Sequence, residues 1–406
     1  MARTARVRSQ RARVTDRIHL GAIGKFFPME DVDRILAETG RESRRHRQLP
    51  ARVVFYYVIA MALLMDVSYG EVLRFLVEGL SRVTVGARRI RRTGRSAISM
   101  ARARLGSAPL RRMVQERVQP IAGGRTRGAW YRGWRLVSVD GSTLDLADSE
   151  ANSAAFGRPG ASRGHSAFPQ LRFVSLVENG THVLFGTQLG AYTTGESRLA
   201  MSAVASLRPG MLCLADRGFF GFALWQAAAS TGADLVWRVK KNQVLPCHRR
   251  LQDGSYLSRI YPSQADRRQD RKGVVVRVVE YRLEGVEDPE PLYRLLTTVL
   301  EEAKAPAKDL ATLYHERWEI ETAFDELKTH LRGRQIVLRS KTPELVEQEF
   351  YGLLLAHFAI RGLMHEAALK GDTDPDRLSF VHTFRVVRRK LPGFTAVPPS
   401  GAHAAP

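Results

Sequence analysis

Two apolar runs in this chain stop abruptly at aspartate. Leu136-Val137-Ser138-Val139 leads into Asp140-Gly141, and Met211 to Ala215 leads into Asp216-Arg217-Gly218. Runs of this length and composition read as buried strands. Leu171 to Val177 reads as another strand, Asn179-Gly180 as a hairpin turn, and His182 to Leu189 as the returning strand. Beyond it, Glu196 to Leu207 and Phe222 to Thr231 read as helices on either side of the Met211 strand. Leu235 to Val239 is the fifth strand.

Three antiparallel strands, then alternating helix and strand, is the element order of an α/β ribonuclease-H-like core. Residues 241 to 300 are charged but strand-like, as in Gly273 to Leu283 and Leu292 to Leu300, and predict a β-rich insertion at about 241–305. Lys308 to about Leu331 reads as one long helix, and Pro343 to Leu369 as another with an apolar face. Residues 29 to 125 read as helical. They include a short amphipathic helix at Asp31 to Ala37, a buried one from Pro50 to Asp66, and Tyr69 to Glu78 with Gly70 as a breaker. The expected division is a helical DNA-binding N-terminal domain (1–125), a catalytic domain with its insertion (126–340), and a helical C-terminal region (341–406). Residues 1 to about 20 read as a flexible arginine-rich arm, and the tail after Pro392 as disordered.

The net charge is +22, from 63 basic and 41 acidic residues, and most of the basic excess is arginine. A polyanion is the default partner for such a balance. Charge alone does not separate a nucleic-acid enzyme from any other basic protein. Two distant cysteines, Cys213 and Cys247, argue against a disulfide framework or zinc finger and fit a reducing compartment. His165, His182 and His315 lack the spacing of a zinc site. The N-terminus has no apolar segment of the signal-peptide kind, and the longest apolar run, Val53 to Met65, is too short to span a bilayer.

Arg88, Arg89, Arg91, Arg92 and Arg95 lead into Ser96-Ala97-Ile98-Ser99, then Arg102 and Arg104. A basic turn followed by a helix capped by Ser96 or Ser99 is the pattern of a helix-turn-helix recognition element, with Arg95 and Arg102 as DNA contacts. The alternative is a solvated basic helix. Gly157, Gly160 and Gly164 with Arg158 and Arg163 form a basic loop that either follows DNA or is plain surface. No Gly-Lys-Ser/Thr follows it, which excludes a Walker A loop, and no Gly-x-Ser-x-Gly elbow occurs.

Each strand-end aspartate, taken alone, is equally a turn residue. The helix Tyr314 to Lys328 changes the weighting. At about 100° per residue, Tyr314, Arg317, Glu321 and Lys328 fall within an arc of roughly 60°. Glu319 and Glu326 point elsewhere, and Asp325 lies near the face as a possible decoy. One face thus carries a hydroxyl, a guanidinium, a carboxylate and an ammonium, a set that suits a metal ion flanked by phosphates. The competing reading is a surface ion pair between Arg317 and Glu321.

Tyr314, Arg317, Glu321 and Lys328 stand at intervening spacings of two, three and six residues. With Val139-Asp140-Gly141-Ser142 and Leu214-Ala215-Asp216-Arg217-Gly218-Phe219, this pattern resembles the insertion-sequence-four family of bacterial DDE transposases, from about residue 136 to 340. The N-terminal region resembles that family's separate N-terminal domain, less specifically. The resemblance implies that Asp140, Asp216 and Glu321 hold two Mg²⁺ ions, for which Mn²⁺ can substitute, with Asp140 between them. It implies that Tyr314, Arg317 and Lys328 hold phosphates of the transposon end. It further implies cut-and-paste transposition through a hairpin, double-stranded DNA with terminal inverted repeats and target DNA as partners, a homodimer, and a place at the nucleoid of a bacterial cytoplasm. Pro291 to Thr297 is similar to the strand carrying the residue on which a flipped base stacks, which makes Tyr293 either that residue or an ordinary strand tyrosine. Trp318 is either near the active face or core. A transposase-derived DNA binder without catalysis and a structure-specific nuclease of the same fold are the rival readings.

Overall fold

The structure, a computed structural model, describes residues 21–43, 49–78, 93–161, 164–165, 167–282, 292–333 and 337–390. The N-terminal arm, Arg88, Arg89, Arg91, Arg92, Arg163 and the tail after Pro392 lie outside the described residues.

The described helices before the sheet are α1 (Gly21–Phe26), α2 (Met29–Glu38), α3 (Ala51–Leu63), α4 (Tyr69–Glu78), α5 (Arg95–Leu105) and α6 (Ala108–Arg117). Helix α3 has no polar face, and every residue from Val53 to Leu63 is buried. A helix that is apolar all round belongs at the centre of a core. Gly70 does not break α4; it lies in its first turn, where the helix is only beginning. Neither Ser96 nor Ser99 caps α5, since Gly94 holds the cap position and both serines lie inside the helix.

One large sheet follows. Its strands are β1 (Trp130–Tyr131), β2 (Trp134–Asp145), β5 (Gln170–Glu178), β6 (Val183–Ala191), β7 (Met211–Ala215), β8 (Asp234–Arg238), β9 (Arg249–Arg250), β10 (Tyr256–Ile260), β11 (Val274–Tyr281) and β12 (Tyr293–Thr297). A separate small ribbon pairs β3 (Gly160–Ala161) with β4 (Gly164–His165). Helices α7 (Glu150–Phe156), α8 (Glu196–Ala203), α9 (Phe222–Ala229) and α10 (Gln264–Arg268) lie between strands. The strand order is β6-β5-β2-β7-β8-β12-β11-β10-β9, with β1 beside β2. The first five of these, antiparallel on one side of β2 and parallel on the other, are the predicted ribonuclease-H-like core. Strands β9 to β12 do not form a separate layer. β12 pairs antiparallel with β8, with Leu296 opposite Trp237, and so continues the same sheet. That pairing covers the backbone groups β8 would otherwise expose as an edge.

The last elements are α11 (Ala307–His315), α12 (Glu319–Asp325), α13 (Pro343–Lys370) and α14 (Phe380–Lys390). Helix α13 is buried around most of its circumference. Its Gly352 lies so close to α3 that an added Cβ would be 2.8 Å from a Val58 methyl. The apolar face of α13 is therefore covered from within the chain. One hydrophobic core joins α2 to α6, α12 to α14 and the β2-β5-β6 end of the sheet.

Candidate active site

The site grows from the register of β2 and β7. These strands are parallel neighbours, and their last pair is Val139 with Ala215. The next residue on each strand is an aspartate, so Asp140 and Asp216 stand side by side where the parallel ladder ends. β2 runs on to Asp145 against β5, whereas β7 leaves the sheet at Ala215. Its exit turn is closed by the Phe219 amide donating to the Asp216 carbonyl at 3.0 Å. Buried Leu136, Val137 and Val139 anchor the one strand, and the wholly buried Met211–Ala215 anchors the other.

Asp140 lies in a mostly buried setting. The Gly141 amide donates to its Oδ1 at 2.8 Å. Burial pushes its carboxyl up to about 6, with the Gly141 hydrogen bond and Arg317 opposing and Glu196 and Asp216 adding to the rise. Asp216 is more open. The Tyr314 hydroxyl lies 3.4 Å from its Oδ1, and Arg238 Nη1 lies 3.8 Å from the same oxygen.

The third carboxylate comes from a segment that is not the uniform helix its sequence predicts. α11 ends at His315, Glu316–Trp318 forms a 3-10 turn, α12 covers Glu319–Asp325, and Glu326–Leu331 forms a wide π turn. The 3-10 turn has about three residues per turn, so the 100° projection does not hold across it. The signature residues nevertheless all face the strand ends. Buried Arg317 sets Nη1 3.6 Å from Asp140 Oδ2 and Nη2 3.5 Å from Glu321 Oε1. The Lys328 ammonium donates to Ser142 Oγ at 2.8 Å, and burial lowers its affinity for its proton, helped by neighbouring Arg332. Tyr314 is buried, and burial pushes its phenol well above the ordinary range. Thus the i, i+4 ion pair of Arg317 and Glu321 exists, but the same guanidinium also reaches Asp140.

The remaining sequence candidates divide. Asp325 turns to His330 at 3.2 Å. Trp318 is not core; it is 59% exposed, with the Arg317 guanidinium 5.8 Å from its ring centre. Arg95 is exposed on α5. Arg102 is not available as a DNA contact in this fold. It is buried and donates to Gln348 Oε1 at 2.8 Å and Ser340 Oγ at 2.9 Å, because its side of α5 faces α13. Arg158 is engaged by Asp148, the Ser153 hydroxyl and the Ala167 carbonyl. Tyr293 is held between flanking strands. It stacks on Tyr281 of β11 with ring centres 5.3 Å apart, and Arg238 of β8 lies 4.6 Å from its ring centre. Both neighbours already lie against that ring.

Sequence reasoning missed Glu196 and Arg238. Glu196 opens α8 and approaches the backbone beside Asp140, since a Cβ on Gly141 would meet its side chain at 3.0 Å. Arg238 is the last residue of β8, at the same sheet end as Asp216. Its position as the final residue of the fifth strand was the available signal.

No described helix is long and apolar enough to cross a membrane. Residues 17–115 match the family described as insertion element 4 transposase N-terminal, and residues 132–359 match the transposase DDE domain. The chain is 30% identical over 377 residues to the transposase InsG for insertion sequence element IS4 of Escherichia coli K12, covering 92% of this chain and 83% of InsG. It is 25% identical over 214 residues to the putative transposase InsZ of the same organism, covering 52% of this chain and 69% of InsZ. Among solved structures, a piggyBac transposase synaptic complex with hairpin DNA aligns with a TM-score of 0.48 and 13% identity, over 91% of this chain and 79% of that one. Paired strand-end aspartates, a facing Tyr-Arg-Glu-Lys set, the two family matches and the likeness to InsG give one conclusion: the chain belongs to the insertion-sequence-four family of DDE transposases, enzymes that cleave DNA and transfer its strands with a divalent metal.

Proposed function

We propose that Asp140, Asp216 and Glu321 hold the divalent metal as two Mg²⁺ ions, replaceable by Mn²⁺, and that the enzyme performs cut-and-paste transposition through a hairpin. The observation that carries the metal assignment is Arg317. A cationic group already lies between Asp140 and Glu321, and Asp216 stands beside Asp140 on the paired strand. Two of the three carboxylates thus already face a positive charge, and an all-carboxylate oxygen set suits a hard cation. Bound there, the ions would activate the attacking oxygen and stabilise the leaving one.

The chain's own groups do the rest. Tyr314 and Arg238 position Asp216. Arg317 and Lys328, both held by packing, offer a guanidinium fork and an ammonium to phosphates on either side of the scissile bond. The order of steps is hydrolysis at the transposon end, attack of the freed 3′-hydroxyl on the opposite strand to close a hairpin, hairpin opening, and strand transfer into target DNA. Residues 1–125 contribute DNA contacts, with exposed Arg95 as their described candidate. A homodimer joins the two terminal inverted repeats at the bacterial nucleoid.

The test is incubation with the DNA flanking the chain's own gene, with and without Mg²⁺. Hairpin-ended fragments that vanish without the metal and in Asp140→Ala are expected. Open, unjoined ends would leave a nuclease, and binding without any cleavage would leave a DNA-binding protein.

A further inference from the structure

On the far side of the catalytic helix from Glu321 lies a second convergence of charged groups. It joins the β5–β6 turn, the start of α12 and the Pro375–Arg377 turn that follows α13. His182 lies at its centre, only 4% exposed. Its Nδ1 is 3.2 Å from Glu326 Oε1. Burial disfavours the ionised form of Glu326, but Arg361, His182 and His357 outweigh it and hold that carboxyl well below its usual range. An ionised Glu326 only accepts, so His182 Nδ1 carries the proton and donates. In the neutral ring the lone pair is then on Nε2.

That Nε2 has no hydrogen-bond partner. It lies 3.1 Å from Asp376 Oδ1 and 3.7 Å from Glu319 Oε2. Imidazole nitrogen and both carboxylate oxygens lie within 4.8 Å of one another. A lone pair facing two carboxylates is repulsive unless a cation sits between them or the ring takes a second proton. Arg361 Nη2 lies 3.3 Å from Asp376, and the Gly180 amide donates to Glu319 Oε2. His357 also faces Glu326, and burial lowers its affinity for a proton, so it stays neutral.

We propose that His182, Glu319 and Asp376 form a binding site for a divalent transition ion of the zinc type, distinct from the catalytic carboxylates. One nitrogen and two carboxylates are ligands zinc accepts, with water completing the shell. Glu326 plays the part of the outer carboxylate that fixes a metal-bound histidine's tautomer and orientation. Glu319 and Asp376 are partly exposed, which leaves an entry path. Glu319 is two residues before Glu321, so the ion would tie the catalytic helix to the β5–β6 turn and to the segment after α13. No single stretch of sequence holds these ligands, which is why histidine spacing gave no sign of them.

The experiment uses the full chain carrying Asp140→Asn and Glu321→Gln, which removes two of the three proposed catalytic ligands. Zn²⁺ binding is measured by calorimetry and thermal unfolding, and Co²⁺ binding by its visible absorption. One equivalent of Zn²⁺, a raised Tm unaffected by excess Mg²⁺, and a cobalt spectrum with a nitrogen ligand are expected. Adding His182→Gln should abolish all three. If that variant fails to fold, Asp376→Asn, at the exposed rim, should weaken Zn²⁺ binding at least tenfold. Absence of a bound equivalent in the doubly substituted chain, or unchanged affinity on replacing His182 or Asp376, overturns the proposal without touching the catalytic assignment.

Discussion

The guanidinium of Arg317 lies 3.6 Å from the Asp140 carboxylate, with Nη2 turned to Glu321. One positive charge thus faces two carboxylates that come from distant parts of the sequence. Arg317 and a divalent ion compete for the same oxygens until DNA phosphate gives the guanidinium another partner. Arg317→Ala is therefore expected to reduce cleavage by about 100-fold or more, the scale of losing a positioned transition-state donor. It should not weaken Mn²⁺ binding to the DNA-free protein. Calorimetry with Mn²⁺ beside a cleavage assay checks this, and weaker Mn²⁺ binding in the variant would contradict it.

Asp140 gives a pH signature. Its carboxyl is raised to about 6 by burial, so the folded chain holds this proton more tightly than the unfolded chain does. Between about pH 4 and 6 the folded state binds the extra proton, and stability falls as pH rises through this window. Asp140→Asn removes that penalty. It should stabilise the metal-free protein by about 2 kcal/mol at pH 7, a two-unit shift discounted for partial exposure, and by nothing near pH 4. Denaturant unfolding at both pH values tests it. Metal-induced stabilisation of the wild type should also grow as pH rises through 6, because the metal requires the ionised carboxylate.

Lys328 is held by Ser142 in a site where burial disfavours its charge. Replacing it with an uncharged chain of similar length, Lys328→Met, should leave Tm unchanged or slightly higher. Binding of transposon-end DNA should weaken, and the slope of log K against log salt should fall by about one unit, as for loss of one phosphate contact. A fluorescence-anisotropy titration over salt reads both. An unchanged slope would remove Lys328 from the phosphate contacts.

Arg95 and Arg102 lie on the same helix but should behave oppositely. Arg102→Ala strips donors from buried Gln348 and Ser340 and should destabilise the fold by about 3 kcal/mol. Arg95→Ala, at an exposed position, should leave unfolding within about 0.5 kcal/mol of wild type and weaken DNA binding. Chemical denaturation paired with a DNA-binding measurement distinguishes the two.

The local sequence specified much of this protein. Strand runs ending in aspartate, the Asn179-Gly180 turn and the unbroken apolar stretch of α3 are short-range signals, because side-chain alternation and turn chemistry act within a few residues. They delivered the order of the core strands and the candidate carboxylates. Register between β2 and β7 was not readable, since parallel pairing depends on contacts across some 75 residues of intervening chain, from Val139 to Ala215. Tertiary structure alone turned Arg102 inward against α13 and merged the expected insertion into the central sheet. It alone interrupted the catalytic helix, set Arg317 between Asp140 and Glu321, and gathered His182, Glu319 and Asp376. Composition fixes which groups are present. Only packing, which buries some charges and forces others to face one another, decides which of them share a site.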